Sequence, residues 1–201
     1  MKRLRVYLES GKRWVFAGAV DWPGWCRRDK GEEAALETLL DYASRYSKAV
    51  GVGVPTGSVE VVGRVVTRSG MADFGAPGAV GPWDSEPLSA RELGRHLGLL
   101  EASWDYLDGV ADVSPAELRK GPRGGGRDRE AMLKHVREAE RAYAAKVGCR
   151  VPPRTPWDEQ RPMIVAGLRA APADSDWPVR YTVRRLAWHV LDHAWEMEDR
   201  S

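Results

Sequence analysis

The sequence predicts an α+β fold, a small β-β-α-β module followed by an all-α four-helix bundle. The first half reads largely in period two and the second half in period 3.6. Between them TRSGMADFGAPGAVGPWDSEP carries Gly70, Gly75, Pro77, Gly78, Gly81, Pro82 and Pro87, the composition of a linker. The predicted boundaries are therefore 1–66 for the small module, 67–87 for the linker and 88–201 for the bundle.

In chain order, RVYLES (5–10) and RWVFAGAV (13–20) read as β-prone stretches separated by a hairpin-like break at Gly11-Lys12. DWPGWCRRDKG reads as a turn-rich loop. EEAALETLLDYASRY follows as an amphipathic helix, with Ala35, Leu39, Tyr42 and Tyr46 at helical spacing. The valine-rich SVEVVGRVV (58–66) is a third strand. In the second half, Ser89 and Glu92 form a capping box for a helix with the stripe Leu93, Leu97, Leu100, Trp104 and Leu107. Ser114-Pro115-x-Glu117 opens a short helical turn. A second long helix starts near Asp128 and stops at Gly148. A third runs from Thr155-Pro156 to about Ala171, with Pro162 bending it or delaying its regular start. The fourth follows Asp176-Trp177-Pro178.

A net charge of +2, with 43% hydrophobic and 30% charged residues, describes a globular chain and gives no general reason to invoke nucleic acid or an anionic membrane. No apolar run approaches the roughly 20 residues of a membrane span, and no signal peptide is read, so the expected compartment is the cytoplasm. Cys26 and Cys149 match no ligand-spacing motif, and their pairing is not legible.

The chemistry is carried by histidine. RRLAWHVLDHAWEMEDR places His189 and His193 one helical turn apart, so both imidazoles leave one face. Leu186, Val190 and Met197 form the core stripe of that helix, with His193 on its edge. On the second long helix His135 shares a face with Val136, Ala139, Ala142 and Tyr143. An inward imidazole needs a hydrogen-bond partner or a metal. Two histidines from one helix and one from another suit zinc, nickel or iron and leave positions open for water or substrate. The competing reading is a satisfied histidine pair packed beneath Trp188 and Trp195.

HVREAERAY in the second helix together with WHVLDHAWEMED in the last resembles the DinB-like family of four-helix bundles over residues 86–201. The resemblance implies a divalent metal held by His135, His189 and His193. It also implies an activity class, since some members are transferases or isomerases that use a low-molecular-weight thiol such as mycothiol or bacillithiol. Others have no established activity. A three-histidine metal would stabilise a thiolate or lower the pKa of water towards neutrality.

A carboxylate would help as proton acceptor or as orienter of a ligand imidazole. Asp192, Glu138, Glu140 and Glu196 are the candidates. Glu196 lies on the histidine face and receives the catalytic or orienting assignment; its bland alternative is a solvated helix end. Trp104, Trp188 and Tyr143 either wall a pocket or belong to the core. RKGPRGGGR (119–127) either cradles an anion through backbone amides and arginines or is a solvated loop without Walker spacing. His96 is expected to be a partly exposed helix residue.

VYLESGKRWVFAGAVDWPGWCRRDKGEEAALETL resembles the small domain of HicB-like antitoxins, over the first 66 residues, through its paired strands, its Pro23-Gly24 turn and its acidic helix start. None of the following segments reads as a ribbon-helix-helix, which argues against a repressor. Trp22 and Trp25 either form a recognition surface or cap the sheet. The expected function is thus that of a metal-dependent transferase or hydrolase acting on a small molecule. The alternatives are a non-catalytic binding protein, whose small domain recognises a partner, and a structural homodimer.

Overall fold

The computed structural model describes residues 3–55, 57–67, 70–121 and 126–201. Strands β1 (Leu4–Ser10), β2 (Val15–Ala19) and β3 (Cys26–Asp29) run antiparallel in succession. Helices α1 (Glu32–Asp41) and α2 (Ala43–Val50) return the chain to β4 (Val59–Val66), which pairs parallel to β1. The resulting order is β3-β2-β1-β4. After the short α3 (Met71–Phe74), four longer helices follow: α4 (Ala90–Val113), α5 (Arg129–Ala144), α6 (Trp157–Arg169) and α7 (Val179–Arg200). The α+β class is as expected. No helix among the described residues is long and apolar enough to cross a membrane.

Three expectations need correction. The segment expected as a loop contains β3. CRRD offers no apolar alternation, and it is a strand because Arg27 and Arg28 pair with Ala17 and Phe16 of β2. The predicted single helix breaks at Tyr42 into α1 and α2. No helical turn forms at Ser114-Pro115; Ser114 instead ends α4, its hydroxyl donating to the Val110 carbonyl at 2.7 Å.

Residues 67–87 also hold more than turns. Trp83 stacks on Tyr7 at 5.1 Å, and Asp84 forms a buried ion pair with Arg184 of α7. This segment covers one face of the sheet with Tyr7, Phe16, Val20 and Trp188. The opposite face, with Leu4, Val6 and Leu8, packs on α1 and α2 and also on Leu99, Leu191 and Trp195 of the helical half. Helix α7 therefore runs between the sheet and the other helices. Every residue from Arg180 to Leu191 is buried.

The predicted Ser89–Glu92 capping box recurs in the structure, whereas α6 starts one residue later than expected, with Pro156 and not Thr155 at its N-cap. The Glu92 amide donates to Ser89 Oγ at 3.2 Å, and the Ser89 amide donates to Glu92 Oε2 at 2.9 Å. Leu97, Leu100, Trp104 and Leu107 of α4 meet Met132 and Val136 of α5 and Leu186, Val190 and Met197 of α7 in one core. Cys26 and Cys149 are both free thiols.

Candidate metal centre

The pairing of α5 with α7 positions the site. Met132, Val136, Glu140 and Ala144 turn inward at spacings of four residues, and that places His135 on the flank of α5 facing α7. On α7, His189 and His193 project one turn apart towards the same flank. One ring nitrogen from each of His135, His189 and His193 lies within 4.8 Å of the others. Ring centroids are 5.0 Å apart for His135 with His189, 5.0 Å for His135 with His193, and 4.6 Å for His189 with His193.

The closest contact is His135 Nε2 to His189 Nε2, at 3.2 Å. Two neutral rings can share one N–H···N hydrogen bond at that distance. It is also close to the separation of about 3.4 Å between two nitrogens on one tetrahedral zinc. Donor chemistry, convergence and partial burial thus fit a first-row divalent cation held by three imidazoles.

The surroundings keep two of the imidazoles, His189 and His135, in their ligating form. Burial pushes the pKa of His189 down to about 2, helped by the neighbouring His193, His135, Arg185 and Arg127. Burial and His193 lower that of His135 as well. A metal binding at neutral pH therefore displaces no proton from His189. His189 Nδ1 is buried without a hydrogen-bond partner among the described residues, so packing orients this ring: Tyr143 meets its face edge-on at 5.7 Å. The His193 ring is oriented differently. Its Nδ1 is 3.1 Å from Glu196 Oε2, and Glu196 Oε1 accepts from Arg200 at 2.7 Å. These two contacts hold the Glu196 carboxyl below the usual carboxylate range. With Nδ1 committed to Glu196, Nε2 of His193 is left for a ligand, the usual tuning of a metal-binding imidazole.

The other candidates lie elsewhere. Asp192 pairs with Arg27 at 3.1 Å, and Glu138 is solvent-exposed. Glu140 is buried on the α6 side, accepting from Trp157 Nε1 at 3.0 Å and Gln160 Nε2 at 2.8 Å. Trp104 and Trp188 are core residues, whereas Tyr143 does wall the site. His96, expected to be partly exposed, is 2% exposed. Trp25 is wholly buried, its indole N–H donating to the Leu39 carbonyl at 2.8 Å, so it caps the sheet and is no recognition surface. Trp22 lies under the Arg95 guanidinium.

Of the 119–127 stretch, residues 122–125 fall outside the described residues. Its first residue, Arg119, caps α7, Nη2 donating to the Asp199 carbonyl at 2.8 Å. Sequence reasoning missed Arg200 and Arg185. The first was legible in principle, since Glu196 and Arg200 are spaced i, i+4 on one helix.

No family model matches the chain, and no curated protein or solved structure does either.

Proposed function

We propose that the chain is a divalent-metal-dependent enzyme of the DinB-like kind, a thiol-dependent transferase or a hydrolase, centred on His135, His189 and His193. The observation that carries this reading is the convergence of three imidazoles from two helices, with Glu196 bound to the outer nitrogen of one of them. Zinc, nickel and iron all suit the donor set. A metal held there would supply a Lewis acid that makes water or a thiol nucleophilic near neutral pH.

The chain's own residues do the rest. Tyr143 excludes water from one side of His189. Glu196 fixes the tautomer of His193, and its contacts with His193 and then Arg200 keep it ionised. The alternative, a non-catalytic protein whose sheet recognises a partner through its tryptophans, draws less support because Trp25 is buried.

The thiol-transferase reading is tested with cobalt(II)-loaded protein. Adding a low-molecular-weight thiol should produce a new saturable absorption in the near ultraviolet, absent from His189→Ala. A spectrum unchanged by thiol would remove the transferase and leave the hydrolase.

A further inference from the structure

Beside the metal centre, on the Glu196 side of α7, lies an open groove of about 670 Å³. Its walls come from three distant parts of the chain. Strand β3 contributes Arg27 and Arg28, the stretch after α4 contributes Arg119 and Lys120, and α7 contributes Arg200. Against these five cationic side chains stand three carboxylates, those of Asp192, Glu196 and Asp199. Asp199 is already bound by Arg45 at 2.8 Å. Lys120 in turn lies 3.7 Å from Asp128, yet the groups lining the groove still carry more positive than negative charge in a chain whose overall charge is only +2.

Two of these arginines are incompletely used. Arg27 gives one terminal nitrogen to Asp192 and lies 4.0 Å over the Tyr42 ring, but its Nε has no partner among the described residues. Arg200 gives Nη1 to Glu196 and Nε to the Arg119 carbonyl, and its Nη2 is likewise unpartnered. Both of these N–H groups are closed off from solvent, so it is the charge gathered around the groove, and not these two atoms, that an anion would meet. The volume is that of a small-molecule site.

We propose that this groove binds a small organic anion, a carboxylate or a phosphate ester, and presents it to the metal centre. The Glu196–Arg200 pair is the shared boundary, since Glu196 touches His193 on one side and lines the groove on the other. Anion capture stands on the groove alone, whereas presentation to the metal rests on the function proposed above. The sheet takes part in it as well, because β3 supplies Arg27 and Arg28 to the lining.

Zinc-loaded, tag-free full chain is titrated calorimetrically with inorganic phosphate and, separately, with citrate. At least one should bind saturably at a single site, and the better probe identifies the anion chemistry. Arg27→Gln/Lys120→Gln should weaken that binding at least tenfold while keeping its zinc and its thermal midpoint. Should loss of the Arg27 packing unfold that variant, Lys120→Glu, changed at an exposed side chain, should still weaken binding at least threefold. Failure of both probes to bind the wild type, or equal binding by the charge variants, overturns the proposal. His189→Ala separates the two readings: lost zinc with retained anion binding supports an independent groove. Anion binding lost together with zinc in that variant means that the probe sits on the metal, which overturns the groove.

Discussion

His96 and His189 are both buried imidazoles whose Nδ1 has no partner among the described residues, and their neighbours set their roles apart. His189 faces two other histidines. Burial, together with the nearby cations Arg180, Arg95 and Arg184 and against the opposing charge of Glu92, lowers the pKa of His96 to about 4. A folded-state pKa below the unfolded value of about 6.5 means that the unfolded chain takes up the proton first. Stability attributable to His96 is therefore full above pH 6.5 and is lost as pH falls from 6.5 towards 4. The slope is at most about 1.4 kcal/mol per pH unit. In chelator-treated protein, urea unfolding of His96→Gln should show a loss of stability across this window smaller by about 2 kcal/mol than in the wild type. An unchanged pH slope would contradict the burial of a neutral ring. At this scale the spacing of His189 and His193 was legible, because helical periodicity is local. The environment of His96 was not, because Arg180 and Arg184 reach it from another helix.

Among elements, the helices were legible wherever local chemistry marked their ends: the Ser89–Glu92 box, the left-handed Gly148 and the prolines before α6 and α7. Strand β3 was not, since its pairing with β2 and not its composition makes it a strand. The turn leading into it shows how tightly sheet and helix meet. Gly24 has φ of +93°, and a Cβ there would stand 2.8 Å from Leu191 Cδ1 and 3.2 Å from the Ala187 carbonyl carbon of α7. Gly24→Ala should therefore cost about 2 kcal/mol or more, through backbone strain and overpacking together. Gly109→Ala on α4 meets nothing within 4 Å and should be neutral or stabilising by up to about 1 kcal/mol. Denaturant midpoints of the two variants decide this; equal shifts would mean that the turn does not abut α7.

For the whole molecule, the sheet and the helices share side chains. Leu99, Leu191 and Trp195 complete the core beneath β1, and the Arg184–Asp84 pair fastens the intervening segment to α7. Composition marked residues 67–87 as a linker because glycine and proline dominate them, but composition carries no information about where Trp83 and Asp84 dock. The same long-range docking brings Arg27 of β3 to the side of α7. Convergence of His135 with the α7 pair is also a property of the whole bundle. Sequence could place each imidazole on an inward face, but only the packing of α5 against α7 brings the rings to within 5.0 Å of one another.

The most direct test is therefore elemental analysis of full-length protein purified without a histidine tag. The account predicts close to one equivalent of zinc, nickel or iron per chain, lost in His135→Ala and in His189→Ala although both variants remain helical by circular dichroism. Metal-free wild type that also fails to take up any of the three ions on titration, or folded variants that retain a full equivalent, would contradict it.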